Sequence, residues 1–229
     1  MSFWEHLEVL RGVLLRAAAV ALTCTLVAFL LKDALFALVM APARDVTLIN
    51  TQLTGQLATH VTVAVYAGIV MASPYIIYAL VGFVSPGLYA SERRLVVRVV
   101  AAGYVLFMAG VAMNYLLIFP FTVRFLAAYQ VTGDVVNMIA LSSYIDTLAA
   151  MSLMMGIVAE TPVLCWLLAK MGLIDAAAMR RKRKHAVVAM LTAAAVITPT
   201  QDVLTLLLVA CPMLVLYEIS IWIVKRVRR

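Results

Sequence analysis

Charge is what this chain has least of. Asp, Glu, Lys and Arg make up 13% of its 229 residues, against 66% hydrophobic, and mean hydropathy is +1.06. So little polar surface cannot cover a water-soluble domain, and the composition specifies a polytopic membrane protein. Cysteine and histidine are scarce too, with three of each. Cys24, Cys165 and Cys211 stand singly in apolar runs without CxxC or Cys/His spacing, which argues against a metal or redox centre and leaves three small hydrophobes. His6, His60 and His185 fall near the ends of apolar runs. There is no H-E-x-x-H, no G-x-S-x-G elbow with a histidine partner and no pair of intramembrane aspartates. Enzymatic chemistry is therefore not expected. The sequence also lacks an internal repeat, a low-complexity tract and a soluble domain.

The basic residues that are present are grouped. Fifteen of the eighteen Lys and Arg fall into four patches: Arg11 and Arg16; Arg93, Arg94 and Arg98; Lys170 with Arg180 to Lys184; and Lys225 to Arg229. Pairs of hydrophobic spans separate them. This is the positive-inside pattern of a protein with an even number of spans and both ends cytoplasmic. The net charge of +7 is thereby read as topology, and no nucleic-acid partner is expected. Ala17 to Leu31 followed by Ala41-Pro42-Ala43 has the outline of a signal peptide. Glu5 and Glu8 precede it, however, and the small-residue site lies far beyond the run, so an uncleaved first span is expected.

The spacing predicts an all-α fold in one domain, 1–229, with six transmembrane helices at about 12–35, 61–84, 95–119, 143–168, 185–198 and 203–224. Ser2-x-x-Glu5 has capping-box form and opens an amphipathic turn in which Glu8 is placed to pair with Arg11 at i+3. Lys32 to His60 reads as short helices on the outer rim, with Pro42 among them. Span two carries Ser73-Pro74, a kink signal, and is stopped by Ser85-Pro86-Gly87. In the short inner loop Glu92 follows Ser91, and its simplest reading is a carboxylate in the first turn of span three. Asn114-Tyr115 sits near the outer end of span three, and Pro120 marks the rim. Ser143-x-x-Asp146 is a second capping-box form. In the next inner loop Gly172 stops a helix, and Asp175 caps one running from Ala176 to Lys184. Spans five and six have short uncharged runs, Ala186 to Ile197 and Val203 to Tyr217. At 1.5 Å per residue each covers only some 18–23 Å of a core about 30 Å thick. Thr198-Pro199 separates them, Asp202 is placed as an N-cap, and Pro212 should bend the last helix.

Ala159-Glu160-Thr161-Pro162 stands out because it puts a carboxylate and a proline inside the apolar run from Thr147 to Ala169. Such a charge costs roughly 2.5–3.5 kcal/mol on insertion scales and marks a functional site by default. Pro162 cannot donate to the carbonyl of Val158, so a bend is expected beside Glu160.

Taken together, His6-Leu7-Glu8-x-Leu10-Arg11, Ala72-Ser73-Pro74-Tyr75 and Phe83-Val84-Ser85-Pro86-Gly87-Leu88-Tyr89-x-x-Glu92-Arg93-Arg94 resemble the TatC family. So do Tyr115 with Phe119-Pro120, Glu160-x-Pro162, Thr198-Pro199 leading to Asp202, and Pro212 with Leu216-Tyr217-Glu218-Ile219-Ser220. The resemblance runs in order along essentially the whole chain. It implies the multispanning receptor of twin-arginine translocation in the prokaryotic cytoplasmic membrane. Such a receptor has no cofactor, binds the paired arginines of a signal peptide at its cytoplasmic face, and exports folded cargo on the proton-motive force. It also implies TatA/TatB-type single-span partners and self-association within a larger complex in the lipid. Glu92 matches the family's principal arginine-binding glutamate, with Glu8, Arg11 and Arg94 beside it. The family's second glutamate falls at Val9, one position after Glu8, and one position turns a helical side chain by about 100°. Glu160, Asp202 and Tyr115 become intramembrane polar groups facing partner subunits, and Pro42, Pro74, Pro86, Pro162, Pro199 and Pro212 become structural landmarks. Two alternatives stay open. Glu160 could be satisfied by Thr or Ser hydroxyls of its own bundle, or the chain could be a small proton- or ion-coupled transporter using Glu160.

Overall fold

The computed structural model describes residues 3–44, 46–84, 93–129, 138–198 and 202–227. The described chain is almost wholly helical. Helix α1 spans Phe3–Leu30, α2 Lys32–Met40 and α3 Gly55–Val84. Helix α4, Arg93–Met113, runs through a π-helical segment, Asn114–Ile118, into α5, Phe119–Ala128. Then come α6 (Leu141–Ala159), α7 (Thr161–Lys170), α8 (Ala176–Arg181), α9 (Arg183–Ile197) and α10 (Val203–Val227). Among the described residues, five stretches are long and apolar enough to cross a membrane: Leu7–Leu30, Gly55–Phe83, Arg94–Ala128, Leu141–Lys170 and Val203–Val227. Helix α9, which covers most of the expected fifth span, has 15 residues and is not among these five stretches. Glu92, Pro86, Pro199 and Ser2 lie outside the described residues.

Contacts divide the chain into two compact units. In the first, residues 1–104 and 123–149, α1 packs along α3 and α2 joins them. The α1–α3 crossing depends on Gly68, where an added Cβ would lie 2.6 Å from the Cα and N of Thr25. Small residues allow such backbone approach in lipid, where no hydrophobic force draws helices together. Tyr144 Oη donates to the Val39 carbonyl at 2.9 Å, tying α6 to α2. Strands β1 (Leu48–Ile49) and β2 (Ile139–Ala140) form a two-residue parallel ladder.

In the second unit, residues 105–122 and 150–229, α7, α8 and α9 all pack against α10. Ala169, Met179, Ile221 and Val224 form a buried cluster with Tyr217 against it, and Tyr217 Oη donates to the Met179 carbonyl at 2.9 Å. Gly110 and Gly156 bring α4 and α6 together: a Cβ on Gly110 would lie 2.8 Å from Ala159 Cβ, and one on Gly156 2.7 Å from Phe107 Cε2.

Several local expectations hold. Gly172 has φ 78° and ends α7 with the 6→1 bond from Leu173 N to Leu168 O, the geometry that favours glycine there. Asp175 caps α8 by accepting from Ala178 N. Others are corrected. The first long helix breaks at Leu31, short of residue 35. The third does not stop at Pro120 but continues to Ala128. Pro120 lacks the N–H that would reach Leu116, and the π turn just before it resets the bonding ladder. Ser143 is not a cap either, because α6 already begins at Leu141, and Asp146 is exposed within that helix. The basic helix after Asp175 ends at Arg181, with α9 restarting at Arg183. The chain stays helical through Pro74 and Pro212. The last uncharged run ends at Glu218, yet the helix carries on to Val227.

Candidate functional site

The helix breaks at Glu160 because of Pro162. Glu160, with φ −73° and ψ −10°, caps α7 and keeps Pro162 in the first turn, where its missing N–H costs nothing. The Val158 carbonyl that Pro162 cannot serve accepts the Thr161 hydroxyl at 2.6 Å instead. The neighbouring hydroxyl is thereby directed to the backbone and not to the carboxylate. Glu160 is half-buried, and its Oε1 is buried without a hydrogen-bond partner among the described residues. A polar atom left so in hydrocarbon is an incentive for a hydrogen bond from outside the chain.

Asn114 and Thr205, in the same unit, have side-chain oxygens in this condition. Asn114, fully buried at the start of the π segment, donates through Nδ2 to Ser152 Oγ at 2.9 Å, but its Oδ1 accepts nothing among the described residues. Thr205 Oγ1, on the first turn of α10, is likewise buried without a partner there. Helix α10 packs against the π segment. Asp202 fulfils the capping expectation: Thr205 N donates to its Oδ1 at 2.7 Å. The sequence reading singled out Tyr115, which is half-buried, and assigned no role to its neighbour Asn114. An amide inside an apolar run was the signal for Asn114.

At the membrane face the expected residues are positioned separately. Glu8 and Arg11 are exposed on α1, and no ion pair joins them among the described residues. Arg94 is exposed in the first turn of α4. Glu92 lies outside the described residues, so of these four only Glu8, Arg11 and Arg94 are placed. An ion pair that the sequence did not announce joins Arg183 Nη2 to Glu218 Oε2 at 2.7 Å. Of the landmark prolines, Pro42 lies in a 3-10 turn, Ala41–Ala43, Pro74 and Pro212 inside helices, and Pro162 at the break. No group of three or more His, Cys, Asp or Glu among the described residues is arranged to hold a metal ion.

Membrane-long helices, basic groups at their ends and buried polar atoms beside a proline break define an integral membrane protein of several spans. Its intramembrane chemistry is hydrogen bonding. The family model described as "Sec-independent protein translocase protein (TatC)" matches residues 5–212. Relatives named TatC from Carboxydothermus hydrogenoformans and TatCy from Bacillus subtilis are 32% and 33% identical; each match covers all of this chain, and 94% and 91% of the relative. A crystal structure of the twin-arginine translocase receptor TatC superposes with a TM-score of 0.85 at 30% identity, covering 98% of this chain and all of that one. This chain belongs to the TatC family and is an integral membrane component of the twin-arginine protein translocase.

Proposed function

We propose that this chain binds twin-arginine signal peptides at its cytoplasmic face and assembles with single-span TatA/TatB-type subunits to export folded proteins on the proton-motive force. The family match over residues 5–212, with Glu92 standing in its motif, is the observation that carries this reading. Two guanidinium groups call for fixed carboxylates, because Arg–carboxylate pairing is directional and can be bidentate. Glu92 supplies the principal carboxylate and Glu8, exposed on α1, the second. Arg94 and Arg11 flank them. The chain acts as one six-helix domain in which α9 is the fifth, short crossing.

Partner assembly is assigned to Glu160, with Asp202 and Tyr115 as further polar groups along the spans. The buried, unaccepting Oε1 of Glu160 supports this assignment, since a partner helix carrying a polar group gains a hydrogen bond there. In hydrocarbon such a bond is worth about 0.6–2 kcal/mol, suited to a reversible contact. The test is crosslinking of a twin-arginine signal peptide to the full-length protein in membranes, beside a Lys-Lys version. Strong crosslinking of the first and weak crosslinking of the second is expected; equal yields would overturn the reading.

A further inference from the structure

A polar groove outside these sites lies at the charged end of α10. It has a volume of about 450 Å³ and is lined by Arg180, Arg183, Glu218, Ile221 and Trp222. Glu218, Trp222 and Arg226 follow at i, i+4 and i+8 on α10 and so share one face. Arg226 lies over the Trp222 ring, its Cζ 3.5 Å from the centroid. Across the groove, Arg180 closes α8 and Arg183 opens α9.

Two guanidinium groups, Arg180 and Arg183, thus line the groove with one carboxylate, and Arg226 sits beside it over Trp222. Glu218 engages a single nitrogen of Arg183, and both side chains remain 51% exposed, so water screens the pair and leaves it weak. The Trp222 ring holds the Arg226 guanidinium by a cation–π contact, which does not use up its N–H donors. The Arg180 side chain makes no hydrogen bond or ion pair among the described residues. The donors that remain form a fork geometry suited to an anion with several oxygens, and phosphate is the usual match. Trp222, 53% exposed, is the residue type that settles at the headgroup level, and the α10 run below it is apolar. The positive-inside pattern places this end at the cytoplasmic leaflet, where anionic lipids concentrate and where basic pockets between helices hold headgroups.

We propose that this groove is a binding site for the phosphate of an anionic phospholipid of the inner leaflet. Arg180, Arg183 and Arg226 hold the phosphate, and Trp222 lies against the glycerol and upper acyl region. Glu218 positions Arg183 and excludes a second anion. The site is separate from signal-peptide recognition and does not depend on it.

Native mass spectrometry of the full-length protein in detergent tests this, with phosphatidylglycerol, phosphatidylcholine, inorganic phosphate and a poly-glutamate peptide as probes. The expected result is selective retention of phosphatidylglycerol over phosphatidylcholine. It should weaken roughly tenfold in the Arg180→Gln/Arg183→Gln double variant, about the loss of one charged hydrogen bond. Arg226→Gln, which leaves the helix packing untouched, should weaken it in the same direction, whereas Lys32→Gln should not. Unchanged binding in both groove variants would overturn the proposal. So would equal displacement by inorganic phosphate, which would make it a free-anion site, or displacement by the acidic peptide at matched charge, which would make it a protein-docking site.

Discussion

Gly110→Ala should loosen the helix pair that presents Glu160. The new Cβ would lie 2.8 Å from Ala159 Cβ and 2.9 Å from the Met155 carbonyl carbon, with the carbonyl oxygen closer still. Ordinary carbon contacts begin near 3.5 Å, so α4 and α6 must separate by roughly 0.7 Å at this crossing. Overpacking of this kind costs about 1–3 kcal/mol, offset by at most about 1 kcal/mol from alanine's better helix propensity. A net loss of about 1–2 kcal/mol corresponds to a fall of roughly 2–8 °C in Tm for a chain of this size. Gly12→Ala is the matched control, because the nearest atom there is the far end of the Arg16 side chain at 3.5 Å. The same chemical change should leave Tm unchanged or slightly raised. Thermal melts in one detergent, followed by far-ultraviolet circular dichroism, give the comparison. A Gly110→Ala protein as stable as Gly12→Ala would refute the claim that close backbone packing holds this crossing.

Asp202→Ala removes the cap on Thr205 N and should destabilise the protein by about 0.5–2 kcal/mol, while Asp202→Asn should retain most of it; indistinguishable melts for the two would remove the capping role. Glu160→Ala should weaken partner-subunit association by roughly 3–30-fold, the equivalent of one intramembrane hydrogen bond, and slow export. Signal-peptide crosslinking should stay at the parental level. Normal export and co-purification of partners would reduce Glu160 to packing.

Much of this was legible in the sequence because single residues dictate single local outcomes. Pro162 lacks the N–H that the Val158 carbonyl would accept, Gly172 tolerates a positive φ, and Asp175 and Asp202 stand where a helix needs an acceptor. The break at Glu160 followed from the sequence for that reason. Pro120 misled because a proline can be absorbed by a π turn as well as by a helix end, and which occurs depends on tertiary packing. Ser143 carried a capping pattern, but α6 starts directly from β2, leaving that pattern inside the helix and on its surface. The β1–β2 ladder joins two residues from chain stretches ninety positions apart, too short for any alternation to register. Asn114 was visible as an amide in an apolar run, yet its bond to Ser152 depends on how α4 meets α6. The Arg183–Glu218 pair likewise depends on α9 folding back along α10.

The measurement that bears most directly on the account is signal-peptide crosslinking to Glu92→Gln, Glu8→Gln and the parental protein, all expressed at equal levels in membranes. The account predicts a large loss for Glu92→Gln, a smaller one for Glu8→Gln, and discrimination against a Lys-Lys signal in the parent. Undiminished twin-arginine crosslinking in Glu92→Gln would contradict it.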